Sequence, residues 1–423
     1  MSEERLVPKL RFSGFNDGWE STKIGEIAEI VGGGTPKTEV EKYWNGEIKW
    51  FTPSEIGKIK YILDSERHIT EEGLKNSSAK LLPANTILLS SRATVGEVSI
   101  ALTECSTNQG FQSLITKNNV DNEFVYYLIS TIKNEFIRRA SGSTFLEISK
   151  NEIKRIPITI PTLSEQKKIS NLFSAIDNKI ELLHKKHQYY HEFKKYLMQQ
   201  IFAQKLRFKI NSSYTNYKLK DIVTKFSTGL NPRKNFKLNE GGENYYVTIK
   251  NFQNGILNLD DKCDKIDDNA LKLINKRSDL QKDDLIFASI GRVGEVYLIK
   301  NNPLNWNINE SVFSLRPNKQ FIEPKFLYYL LNSNKIQNYF ESNITGSTFK
   351  SIKMKDLKNT PVTIPDSFEL QNEIVKLLSS VDSKIFFIEN EFTDIKKFKK
   401  GLLQQMFVFL ISSILFLIVY LFR

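Results

Sequence analysis

The stretch "SGSTFLEISKNEIKRIPITIP", Ser141–Pro161, is answered later in the chain by "TGSTFKSIKMKDLKNTPVTIP", Thr345–Pro365. Gly142 and Gly346 stand 204 residues apart, close to half of a chain of 423. A displacement of that size predicts a duplication, which must then recur outside the two stretches. It does. "WESTKIGEIAEIVGGGTP" aligns with "NYKLKDIVTKFSTGLNP", pairing Ile24 with Leu219, Ile27 with Ile222 and Gly34 with Gly229. "WFTPSEI" at Trp50 faces "YVTIKNF" at Tyr246, and "ILLSSRATVGEVSIA" from Ile87 faces "LIFASIGRVGEVYLI" from Leu285. "NQGFQSL" from Asn108 faces "NESVFSL" from Asn309, and "FVYYLI" from Phe124 faces "FLYYLL" from Phe326. The displacement drifts between 195 and 205, as loops of unequal length require.

Each half has the same internal order. A mixed region comes first, in which apolar runs such as "TILLSS", "EVSIAL" and "FQSLIT" lie between turn signals and predict strands. An amphipathic helix is expected from about Asn122 to Arg139. After "IPITIPTLSEQ" a long helix is expected from about Ser164 to Phe202. Along it Ile169, Phe173, Ile176, Ile180, Leu183, His187, Tyr190, Lys194, Leu197 and Ile201 alternate steps of four and three. The twin seam is Ile374, Leu378, Val381, Ile385, Ile388, Phe392, Ile395, Lys399, Leu402 and Met406, with Lys at the matching place. An apolar stripe held over some 38 residues, roughly 57 Å at 1.5 Å each, needs a partner helix. The two copies are expected to pack on each other as an antiparallel coiled coil, with Ile169, Phe173, Ile176, Ile180 and Leu183 on one helix and Ile374, Leu378, Val381, Ile385 and Ile388 on the other carrying the pairing.

Composition points to a polyanionic partner. Sixty Lys and Arg against 48 Asp and Glu leave a net charge of +12, a surplus that suits nucleic acid. Cys105 and Cys263 lie far apart, and "MSEERLVPKLRFSGF" lacks the apolar core of a signal peptide, so a cytoplasmic, reduced protein is expected. Chemistry is scarce. "GGGTPKT" at Gly32 lacks phosphate-loop spacing, and "NPRK" at Asn231 lacks the second proline and the aromatic of the amino-methyltransferase tetrad. No dinucleotide glycine fingerprint is present. His184, His187 and His191 share a helix face, but no Cys or carboxylate cluster completes a zinc site and the second copy has no equivalents, so no metal is expected. Asp283 and Asp284 precede a strand and read as turn residues. No catalytic residue is expected.

Two α/β units, each followed by a long helix and carrying "ILLSSRATVGEV", "NQGFQSL", "GSTF…IPITIP…EQKKI" and "YLMQQIF"/"GLLQQMF", resemble the DNA-specificity subunit of Type I restriction–modification enzymes over about residues 15 to 407. The resemblance implies an α+β or α/β architecture of two tandem target recognition domains, 15–162 and 214–366, with a central spacer helix at 163–205 and a C-terminal one at 367–407. Each domain would read one half of a split, asymmetric double-stranded DNA target, and the helices would fix the gap between the halves. Catalysis would belong to partners: two methyltransferase subunits using S-adenosylmethionine, and restriction subunits driven by ATP with Mg. By match to the family pattern, the candidate DNA contacts are Thr35, Lys37, Thr52, Ser54, Arg92 and Thr94 in the first half. In the second they are Asn231, Arg233, Lys234, Thr248, Lys250, Asn251, Ser289 and Arg292. The alternative function is a stand-alone DNA-binding or scaffold protein with no restriction complex.

One segment departs from the family pattern. Residues 408–423 form an apolar tail, and Phe407–Phe422 is a run of 16 uncharged residues, short of the roughly 20 that a membrane helix needs. A frame-shifted end, a tail anchor in a membrane and an extension of the helical interface are the three readings open to it.

Overall fold

Three small sheets, each present once per repeat, organise the two heads. In the first head the strands Ala28–Gly32, Gln112–Thr116, Ile87–Leu89 and Val98–Ala101 lie side by side and antiparallel, with Tyr61–Ile62 added parallel at the edge. In the second, Val223–Thr228, Val312–Pro317, Leu285–Ala288 and Val296–Leu298 repeat that order. A three-stranded sheet follows in each: Trp44–Phe51 between antiparallel Arg67–Ile69 and parallel Ser106–Thr107, matched by Asn244–Val247 between Asp264–Ile266 and Trp306–Ile308. The duplication read from the sequence is thus present in these sheets, to which the second head adds the hairpin Phe252–Gln253 with Ile256–Leu257. The computed structural model describes residues 6–142, 146–239, 241–346 and 350–408, with the Lys234 side chain left out; the "STF" triplets at 143–145 and 347–349 and the tail from 409 onward lie outside the described residues.

The extended "TIP" segments have a structural task. Pro157–Ile160 pairs antiparallel with Glu20–Lys23, and Pro361–Pro365 with Tyr214–Lys218, so each head is clasped shut before its long helix begins. A glutamine in the helix's first turn fastens the junction. The Gln166 side chain accepts from the backbone N–H of Asp121 at 2.9 Å and donates to the Pro161 carbonyl at 2.8 Å, and Gln371 does the same with Glu323 and Pro365. Both glutamines are buried, so these bonds satisfy groups that would otherwise be stranded away from water.

The long helices span Leu163–Phe202 and Phe368–Met406. The chain forms two compact units: the first joins residues 1–184 to 390–423, and the second is 185–389. Each unit contains one head and a segment of both long helices, rather than following the linear order of head, helix, head and helix. Within the first unit Asp177 meets Lys399 and Lys179 meets Glu391; within the second, Lys194 meets Asp382. Pairs of that form run antiparallel, as expected. Of the expected seam residues, Ile169, Phe173, Ile176 and Leu183 are buried and Ile180 is half-buried, while Ile374, Leu378, Val381, Ile385 and Ile388 are all buried. The first core unites Ile24, Ile87, Leu114, Phe124 and Tyr127 of the head with Phe173, Met406 and Phe407; the second unites Leu219, Leu285, Phe287 and Phe326 with Leu197, Ile201, Ile374 and Leu378.

The single helix expected over 122–139 is two, Asn122–Thr131 and Lys133–Arg139. Ile132 breaks it by taking φ −102° and ψ 19°, while its N–H still reaches the carbonyls of Leu128 and Ile129. Among the described residues no helix is long and apolar enough to cross a membrane, and no group of three or more His, Cys, Asp or Glu is placed to hold a metal.

Candidate nucleic-acid interface

Four loops converge at the crest of each head, and hydrogen bonds between them fix its shape. In the first head the loop after Ala28–Gly32 is pinned by two tryptophans: the Trp50 indole donates to the Gly34 carbonyl at 2.9 Å and the Trp44 indole to that of Lys37 at 3.2 Å. Arg67 stacks on Trp44 with its guanidinium carbon 3.7 Å from the ring centre. Gly34 allows the approach, since a β-carbon there would lie 2.2 Å from the Ser78 hydroxyl and 2.4 Å from the Ala79 nitrogen. Its repeat partner Gly229 is tighter, with a β-carbon 1.6 Å from the Ile308 carbonyl oxygen. Tyr246 takes the part of Trp50 in the second head, donating to the Leu230 carbonyl at 2.5 Å. Burial, then the neighbouring Glu310 carboxylate, pushes the Tyr246 hydroxyl well above its usual range, so it stays a donor.

The candidate contacts divide by what their side chains already hold. Thr52 caps a short turn: its N–H and hydroxyl both donate to Glu55, at 2.6 and 2.7 Å, and the hydroxyl also meets Ser54 at 2.9 Å. Thr248 builds the same turn with Asn251, donating from its N–H at 2.8 Å and its hydroxyl at 3.0 Å. These residues shape the crest, and Ser54 and Lys250 stand exposed beside them. Thr35 is hydrogen-bonded to Gln109, and Asn231 donates to Glu310 at 2.6 Å while capping the turn that presents Arg233. Lys37, Arg233, Arg92 and Thr94 are exposed. Arg92 reaches Glu147 at 3.8 Å, an exposed pair of little worth that leaves the cation available to a phosphate. Lys234 lies on the same turn as Arg233, its side chain outside the described residues.

Two candidates face inward. Ser289 is 3% exposed and its hydroxyl donates to the Ser311 carbonyl at 2.7 Å. Arg292 spends its guanidinium on the Gln253 side chain at 2.6 Å and on the carbonyls of Ile249 and Phe252. In this arrangement both are struts that hold the Val-Gly-Glu-Val turn against its neighbour. The paired acids behave as framework too: buried Asp284 receives two bonds of 2.9 Å from Arg316, and that contact first of all raises the arginine's pKa.

Gln109 and Glu310 escaped the reading of candidates. They occupy the same place in the two repeats, one residue after Asn108 and Asn309, and both are exposed at the centre of the crest. The signal was present in "NQG" and "NES", where an otherwise matched motif changes chemistry at one exposed position.

The chain can now be set beside known proteins. A family model, the Type I restriction modification DNA specificity domain, matches twice, at residues 16–189 and 211–397. The chain belongs to that family. It is therefore a DNA-sequence-recognition chain, and not itself an enzyme. The MjaIX specificity subunit of a Type I restriction enzyme from Methanocaldococcus jannaschii is 28% identical over 408 residues, covering 92% of both chains. The MjaVIII specificity subunit of the same organism is 22% identical across 91% of both. The fold matches the crystal structure of a Type I restriction-modification S subunit from M. genitalium, with TM-score 0.58 and 20% identity over 96% of this chain and all of that one. A chain from a study of complex assembly and conformational transition in the Type I system gives TM-score 0.59 at 16% identity, covering 94% of this chain and 99% of that one.

Proposed function

We propose that this specificity chain reads a bipartite, asymmetric DNA sequence, one half-site per head, with the paired helices setting the gap between the halves. The observation that carries the reading is two crests of one architecture with different exposed chemistry. Lys37 and Gln109 stand in the first where Arg233 and Glu310 stand in the second. Equivalent frames dock on equivalent backbone geometry, and different side chains at the base edges select different bases. Glutamine suits adenine through paired donor and acceptor, whereas a carboxylate accepts from cytosine.

Partners supply the chemistry in this reading. Methyltransferase subunits using S-adenosylmethionine, two per complex, dock on the helix pair, and restriction subunits powered by ATP and Mg join them. Support comes from the relatives, which are named as subunits of restriction enzymes, and from the outer helix faces. Tyr189, Tyr196, Phe386 and Phe387 are all more than half exposed there, and exposed aromatics on a structured face mark protein contacts. The test is to co-express the chain with its methyltransferase and sequence the methylated sites of the host. One split motif with a fixed gap is expected, together with co-purification of the two proteins. A chain isolated alone from those cells, with no motif methylated, would favour a free-standing DNA-binding protein.

A further inference from the structure

The two lysines that interrupt the apolar seams lie in matching polar clusters. In the first unit Lys399 sits 2.5 Å from Asp177, which also accepts the Tyr127 hydroxyl at 2.7 Å, with Ser174 alongside at 3.4 Å from that hydroxyl. In the second unit Lys194 sits 2.7 Å from Asp382, which accepts the Tyr329 hydroxyl at 2.6 Å, with Ser379 at 3.3 Å. Each ammonium also lies over its tyrosine ring, at 5.3 and 5.7 Å. These four members correspond residue for residue through the repeat, and the first cluster holds Lys60 besides, 2.9 Å from both the Tyr127 and the Ser174 hydroxyl. In each cluster the aspartate belongs to one long helix, the lysine to the other and the tyrosine to the head.

Residue numbers expose what the clusters measure. In an antiparallel pair the numbers of directly facing residues total a constant, and 177 with 399 and 194 with 382 both total 576, while the more exposed Lys179–Glu391 pair, totalling 570, is offset from that line. His184 facing Phe392 gives the same total. A slip of one heptad keeps apolar residues on the seam between the helices, although it withdraws Phe407 from the first head core and Ile201 from the second. The lysines add a second selection, at the seam itself. Slipped one way, Lys399 faces Ser170 and Lys194 faces Val375; slipped the other way, Lys399 faces His184 and Lys194 faces Glu389. Only the observed register gives both lysines a carboxylate. The side chains are 22–35% exposed, dry enough that an unmatched charge is costly.

We propose that Lys194 and Lys399 are positioning residues that fix the register of the helix pair, and through it the number of base pairs between the two half-sites. The inference rests on the reading that the helices set the gap. A one-heptad slip moves one helix about 10 Å along the other, which corresponds to roughly three base pairs at 3.4 Å each. The lysines touch no base, so the half-sites themselves are untouched by them.

The experiment compares the wild-type complex with K194M/K399M, and with the exchanged pairs K194D/D382K and K399D/D177K, by methylome sequencing and thermal melting. The methionines keep the stem packing and remove the ionic selection. Expected for K194M/K399M are unchanged half-sites with methylation at shifted gaps, the preference for the native gap falling by about tenfold or more; the exchanged pairs restore that preference. A uniform loss of methylation with no shifted gap, accompanied by a lower melting temperature and not restored by exchange, would assign the lysines to stability alone and overturn the proposal. Failure of the underlying reading looks different: matched heptad insertions in both helices of the wild type would then leave the gap unchanged.

Discussion

Phe407 closes the core of the first head from the residue that follows the long helix Phe368–Met406. It is 2% exposed, stacks on Phe124 with ring centres 5.3 Å apart, and lies 6.0 Å from Phe173 and 6.3 Å from Trp19. Phe407→Ala removes a buried ring held by three aromatic neighbours, a change that costs about 3–5 kcal/mol in a well-packed core. Because the residue lies just beyond the end of its helix, where neighbours relax more freely, about 3 kcal/mol is the better figure. For a unit of roughly 200 residues, at about 2–4 °C per kcal/mol, the melting temperature of the first unit falls by about 6–12 °C. Scanning calorimetry of the complex reads this directly, with Leu304→Ala in the second unit, where the side chain is 87% exposed, as the unaffected control. The methylome supplies a second readout, in which occupancy of the half-site read by the first head is lost before that of the other. Truncation after Val408 keeps Phe407 and leaves both readouts at the wild-type level. A wild-type melting profile for Phe407→Ala, or an equal fall in both units, refutes the assignment of Phe407 to the first core.

Three further outcomes follow from the same structure. Inserting one heptad after His184 and another after Glu389, at the borders of the two units, lengthens the helix pair by about 10 Å and widens the gap by about three base pairs with both half-sites retained, as methylome sequencing reads. Q109E gives the first crest the residue of the second, and it changes the preferred base at one position of one half-site only; a change in both half-sites contradicts the separation of the heads. Burial pushes the Cys105 thiol up to about 12 and the Cys263 thiol up to about 11, so neither is alkylated by iodoacetamide at pH 8 in the native chain and both are alkylated in urea, as mass spectrometry of the labelled peptides shows.

The repeat and the helix pairing were legible because they rest on spacing. Alternating steps of four and three carry Ile169, Phe173 and Ile176 to one stripe whatever surrounds them. The lysines on that stripe read only as interruptions, since Asp177 and Asp382 become their partners once an antiparallel register is known, and register is a property of two helices together. Crest residues were harder for a related reason. Arg292 is a basic loop residue by sequence, and only the fold brings the carbonyls of Ile249 and Phe252 within its reach. Ser289 likewise differs from an exposed serine only by its burial. The break at Ile132 left no trace in the periodic pattern, because the helix resumes at once on Lys133.

The central claim, one head to one half-site, is tested most directly by exchanging a single head. Residues 15–161 are replaced by the equivalent segment of a relative of different specificity, joined at Pro161 where the clasping strand meets the long helix, and the chimera is expressed with the methyltransferase for methylome sequencing. The second head and the lysines on both helices are unaltered in this exchange, so one half of the methylated motif changes to that of the donor while the other half and the gap stay as they were. A motif altered in both halves, or altered in the gap alone, contradicts the account.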